Sequence, residues 1–103
     1  METVEKLSKD REVLIDILTS ELPVLRARLG ISQEDISKCV GISRQTYSLV
    51  ESKKQKMTWV TFMALLSFFE HNPPTKDLLV KIGFYKNTAF NKCLLYKWGG
   101  IYE

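Results

Sequence analysis

Ser32-Gln33-Glu34-Asp35-Ile36-Ser37-Lys38-Cys39-Val40-Gly41-Ile42-Ser43-Arg44-Gln45-Thr46-Tyr47-Ser48-Leu49-Val50-Glu51 reads as two short helices joined by a tight turn. Gln33 opens the first helix and Arg44-Gln45-Thr46 opens the second. Ser32 can cap the first, with Asp35 at the third position of an approximate capping box. Ile31 before the cap and Ile36 after it form a hydrophobic staple. Ser43 repeats the device with Ile42 and Tyr47, and Thr58 repeats it with Met57 and Phe62. Each cap contributes about 1 kcal/mol. Between the two helices, Gly41 follows Cys39-Val40, where a left-handed residue must end one helix and re-aim the chain. Glycine takes that geometry without steric cost. Ser37 is small where the paired helices approach.

Further helices flank this unit. Along 4–18, Val4, Leu7, Leu14, Ile15 and Leu18 fall on one side at a 3.6-residue period, and Val13 and Ile17 make a second apolar stripe. Pro23 is expected to break this helix from the next, which carries Leu22, Leu25 and Leu29 inward and ends at Gly30. The span Trp59 to Glu70 is apolar on most faces and should run through the centre of the domain. Asn72-Pro73-Pro74 reads as its stop. Thr75 can cap a short helix with Leu78, Leu79 and Ile82, closed by Gly83. Asn87 can cap one more, with Phe90, Leu94 and Trp98, ended by Gly99-Gly100; a strand over 92–98 is the competing reading.

The expectation is therefore an all-α chain. It is a helix-turn-helix bundle of about four to five helices, with an extra N-terminal helix and a C-terminal helical extension. Residues 1–20 form the N-terminal amphipathic helix and 21–73 the core. Residues 74–103 form the extension, a candidate dimerisation segment.

The bulk numbers exclude several classes. At 103 residues, 45% apolar and 26% charged, the chain has the balance of one globular domain. No apolar run reaches the roughly 20 residues of a membrane helix, and the acidic start does not resemble a signal peptide. Cys39 and Cys93 read as reduced thiols in or near the core of a cytoplasmic protein. The net charge of +3 is unevenly spread: residues 1–21 carry −3, 22–57 carry +4 and 58–103 carry +2. The positive excess sits on the two capped helices and the loop after them, as expected of a phosphate-binding face. A solvated surface with chance asymmetry is the alternative.

The second helix carries residues suited to base edges. Arginine can bond guanine O6 and N7 in bidentate fashion, and glutamine can do the same with adenine N6 and N7. Arg44 and Gln45 supply these groups, while Thr46, Ser48 and Leu49 lie beside them. Tyr47 and Val50 point back into the core by the same periodicity.

Over Leu22 to Phe69 the sequence resembles the helix-turn-helix of phage repressors and Cro proteins, the xenobiotic-response-element family. The resemblance implies a bacterial or phage transcriptional regulator that binds double-stranded operator DNA, most simply a repressor. It implies contacts by Gln33 to the backbone and sometimes to a base, base readout from Arg44 and Gln45, and phosphate contacts by Ser52, Lys53, Lys54 and Lys56; Ser43 is expected to contact the backbone beside them. It also implies an ion pair between Arg26 and Glu51. Three positions depart from the pattern. Lys53 stands where glycine is common, Ser37 where alanine is common, and Tyr47 where a small aliphatic is common. Tyr47 needs a larger pocket and a partner for its hydroxyl.

An enzyme is not expected. His71 is the sole histidine, and no metal-ligand spacing, phosphate loop or nucleophile elbow occurs. No cofactor is implied. The rival is an antitoxin or a protein-interaction module on the same fold, with the aromatics Phe84, Tyr85, Phe90, Tyr96, Trp98 and Tyr102 as its partner surface. The expected assembly is a homodimer on a palindromic operator, built from the Val13/Ile17 stripe and those aromatics. Packing of both onto their own domain is the alternative.

Overall fold

A computed structural model describes residues 4–94, with side chains described from residue 8, and among the described residues every element is helical. The order is α1 (Val4–Leu29), α2 (Gln33–Val40), α3 (Arg44–Glu51), α4 (Trp59–Glu70), α5 (Pro73–Lys81), a single 3-10 turn (Phe84–Lys86) and α6 (Thr88–Leu94).

Pro23 does not break the first helix, as the sequence led us to expect. It lies inside α1, which runs unbroken for 26 residues. An interior proline removes one hydrogen bond, here the one to the Thr19 carbonyl, and costs about 3 kcal/mol. Two conditions let the helix continue. The Pro23 ring faces solvent, and Leu14, Leu18, Leu22 and Leu25 form one fully buried stripe that spans it. Each such leucine contributes about 1.5–3 kcal/mol, so burial along the stripe outweighs the missing bond. The separate N-terminal helix of 1–20 is thus the first half of a longer rod. α1 contacts α3, α4, α5 and α6.

The three capped starts form with the same geometry. Ser32, Ser43 and Thr58 accept from the backbone N–H of Asp35, Thr46 and Thr61. Gly41 has φ 79°, and the N–H groups of Gly41 and Ile42 both donate to the Ser37 carbonyl, at 2.9 and 3.0 Å. Ser37 is buried, with its hydroxyl donating to the Glu34 carbonyl.

The start of α5 differs from the sequence reading. Pro73 is its first residue rather than the stop of α4, because a proline at N1 lacks only an N–H that would be unpaired anyway. Asn72 takes the cap position, and its side chain donates back to the Phe68 carbonyl. Thr75 is inside the helix and fully buried. Its hydroxyl lies 2.7 Å from the Phe69 carbonyl and 3.0 Å from that of Asn72, latching α5 onto the end of α4.

α4 is less central than its composition suggests. Phe62, Leu65, Leu66 and Phe69 are buried, but Val60 is 79% exposed and Met63 is also exposed. Asn87 caps α6 as expected, accepting from the Ala89 N–H. Phe84 is buried, with Tyr85 and Phe90 packed edge-on against it, and α6 packs on α1. Of the described aromatics of the extension, Phe84 is therefore core and Tyr85 and Phe90 pack half-buried against it. Tyr96, Trp98, Tyr102, Gly99-Gly100 and most of the strand alternative lie outside the described residues. Of the second apolar stripe on α1, Ile17 joins the core, whereas Val13 is 44% exposed. Of the cysteines, Cys93 is half-buried and packs against the core as expected, whereas Cys39 is exposed. No described helix is long and apolar enough to cross a membrane.

Candidate nucleic-acid interface

α3 presents two faces. Tyr47 and Val50 are buried, while Arg44, Gln45 and Leu49 are exposed and Ser48 is half-buried. Arg44, Gln45, Ser48 and Leu49 line one shallow concavity on the outer face. Thr46 is not brought into that group. It is half-buried and its hydroxyl accepts from Ser43 Oγ, so it completes the cap instead. The first turn of α3 contains no acidic residue. The partial positive charge of its N-terminus is therefore unopposed there and lies beside Arg44. A second concavity is lined by Arg26, Ser32, Gln33, Glu34 and Arg44, so residues from the start of α2 share it with Arg44.

A four-residue network fixes how α3 sits. Arg26 donates to Glu51 through Nε at 2.9 Å and a terminal nitrogen at 3.0 Å, a bidentate pair joining α1 to the end of α3. Its other terminal nitrogen donates to the Ile31 carbonyl. The same carboxylate accepts from Gln33 Nε2 at 2.9 Å and from the Tyr47 hydroxyl at 2.7 Å. The Glu51 side chain is 10% exposed and that of Arg26 24%. Burial pushes the Glu51 carboxyl up, but the hydrogen bonds from Arg26, Tyr47 and Gln33, with the charge of Arg26, outweigh it and hold it below its ordinary value. Tyr47 moves the opposite way: burial, then its bond to the carboxylate, raises its phenol. The tyrosine at a position where the resemblance favours a small residue thus fills the core and partners Glu51. Gln33 is the finding that sequence reasoning missed. One N–H of its amide is committed to Glu51, so the second N–H and the amide oxygen remain for a backbone contact.

The loop after α3 carries the remaining cations. Ser52 ends the helix, its hydroxyl donating to the Leu49 carbonyl. Lys53 has φ 66°, in the left-handed region that glycine enters without steric cost. The N–H groups of Lys53 and Lys54 donate to the carbonyls of Val50 and Leu49, closing α3 with a Schellman turn. Ser52, Lys53, Lys54 and Lys56 are all exposed. Two of the lysines reach back to α1: Lys53 Nζ lies 3.3 Å from Ser20 Oγ and Lys56 Nζ 3.3 Å from Glu12 Oε1. These α1 partners had no local signal in the sequence beyond the acidic bias of residues 1–21. Among the described residues no group of three or more His, Cys, Asp or Glu could hold a metal ion.

No family model, curated protein or solved structure matches the chain.

Proposed function

We propose that this chain is a sequence-specific DNA-binding transcriptional regulator of the repressor/Cro type. It lays α3 in the major groove and represses by occupying an operator. The observation that carries this reading is the division of α3. Its N-terminal outer face offers Arg44, Gln45, Ser48 and Leu49 together, while its inner face is locked by Tyr47, Val50 and the Glu51 network. A recognition helix needs this combination, because base readout is bidentate and tolerates little rotation of the helix.

Ser43 and the rest of Gln33 then flank the groove on one side, and Ser52, Lys53, Lys54 and Lys56 on the other. Such contacts set register on the phosphates without reading sequence. A single α3 covers a half-site, so the operator is read as palindromic and the protein as a homodimer, with recognition helices about 34 Å apart. The regulator acts in the cytoplasm and without a cofactor. The alternative is an antitoxin or protein-interaction module; of the six aromatics it would use, Phe84, Tyr85 and Phe90 pack into the fold, and Tyr96, Trp98 and Tyr102 lie outside the described residues.

Selection of bound duplexes from a random library tests the reading. Enrichment of an inverted repeat, with a guanine that loses its preference in Arg44→Ala, is expected. Binding with no enriched sequence, or no binding at all, overturns it.

A further inference from the structure

α1 faces the phosphate-contacting loop with acid. Glu12 and Asp16 lie one turn apart on one face of that helix. Lys56 Nζ sits 3.3 Å from Glu12 Oε1 and 4.0 Å from Asp16 Oδ1. Four residues further along α1, Ser20 meets Lys53. Between these walls opens a cavity of about 300 Å³, floored by Ile15 and Met57 and edged by Asp16, Ser20, Lys53 and Lys56. Two of the cations assigned above to DNA phosphates are therefore already engaged within the chain, one of them by two carboxylates.

We infer that Glu12 and Asp16 are affinity-setting residues, intramolecular competitors that hold Lys56 away from DNA phosphate. The inference rests on the DNA-binding reading. A carboxylate presents Lys56 with the same chemistry as a phosphate oxygen, a compact anion within reach of its ammonium group. Binding DNA through Lys56 requires exchange of one anion for the other. The pair is exposed, with the Lys56 side chain at 53% and Glu12 at 56%, so it lowers affinity without locking the loop. It also lowers the salt dependence of binding. A lysine already neutralised by a carboxylate holds less of the counterion exchange that drives association. Lys54, which has no such partner in the described structure, keeps its full share.

The test uses fluorescence anisotropy of the full chain with a short duplex of arbitrary sequence, over about 50 to 200 mM salt. Glu12→Gln/Asp16→Asn should tighten binding at the low-salt end by about two- to five-fold, the range an exposed pair can supply. It should also steepen the logarithmic salt slope by up to about one unit. In a Lys56→Ala background the same double substitution should change neither. Asp77→Asn, which removes one negative charge from a Lys81 pair on α5, serves as the net-charge control for Glu12→Gln alone. Glu12→Gln alone should give most of the gain, and circular dichroism checks that each variant keeps its helices. An unchanged affinity, an equal gain without Lys56, or a gain from Asp77→Asn equal to that of Glu12→Gln overturns the inference while leaving DNA binding in place. A wild-type chain that binds no duplex even at the lowest salt overturns the DNA-binding reading and this inference together.

Discussion

Gln33 Nε2 donates to Glu51 Oε2 at 2.9 Å, so the first residue of α2 is tied to the last residue of α3. The two helices are thereby joined at the ends away from their shared turn, as well as through Gly41. With Arg26 and Tyr47 on the same carboxylate, Glu51 gathers donors from three helices. Glu51→Ala should cost about 3 kcal/mol, the lower part of the range for breaking a buried pair, since Arg26 keeps some contact with water. Tyr47→Phe, which removes one bond to a charged acceptor, should cost about 1.5 kcal/mol. Urea denaturation measures both. A Glu51→Ala cost under about 1 kcal/mol would mark the network as an ordinary surface pair.

The same network sets a pH window. The Glu51 carboxyl is held below its ordinary value in the folded chain. Its contribution is therefore complete above the unfolded value of about 4.3 and is lost as pH falls through the lower folded value. Tyr47 is raised, so its contribution is complete below an unfolded value of about 10 and is lost as pH rises through the higher folded value. Denaturation followed against pH should show stability falling at the acid end in wild type, with a shallower fall in Glu51→Gln.

Lys53 separates stability from binding. Its φ of 66° costs an L-residue energy that glycine does not lose. Lys53→Gly should raise stability by about 0.5–1 kcal/mol and weaken DNA binding, with a salt slope smaller by about one unit. A loss of stability in this variant would show that the contact with Ser20 outweighs the backbone strain.

Arg44 and Lys54 should differ in kind. Arg44→Ala should cost about 1–3 kcal/mol on the selected operator and little on random duplex. Lys54→Ala should weaken both about equally. Equal losses on both DNAs for Arg44→Ala would remove it from base readout.

The extension should be needed for folding itself. Leu78, Leu79, Phe84 and Ala89 belong to the same buried cluster as Leu14 and Phe62. Phe84→Ala should cost about 3–5 kcal/mol, and a chain cut after Pro74 should lose cooperative unfolding rather than become a tidy monomer. Oligomeric state is therefore best read on the full chain by light scattering. A mass of 11.9 kDa, free and on DNA, would exclude the homodimer.

What could be read from the sequence follows the range of the interactions. The caps at Ser32, Ser43 and Thr58 and the turn at Gly41 depend on residues three to five apart, and local chemistry specifies them. Continuation of α1 through Pro23 depends on what buries Leu14 to Leu25, which lies in other helices and leaves no local mark. Pro73 carried a readable signal, since proline suits a first turn, but a double proline after a long apolar helix reads first as a terminator. The Arg26–Glu51 pair was legible only through the family resemblance. The link from Lys56 to Glu12 crosses 44 positions, beyond any periodicity or cap.

α1 acquires its packing partners from positions far along the chain. Asp10, near its start, bears electrostatically on Cys93 in α6, and Arg11 lies over Trp59 in α4. During synthesis, then, α1 leaves the ribosome well before α6 can cover it. The part of α1 that packs on α6 must wait through the translation of four further helices and a 3-10 turn. The nascent chain passes through a stage in which α1 to α5 can associate while the surface that α6 covers stays open to chaperones or to other nascent chains. The arrival of α6 closes that interval.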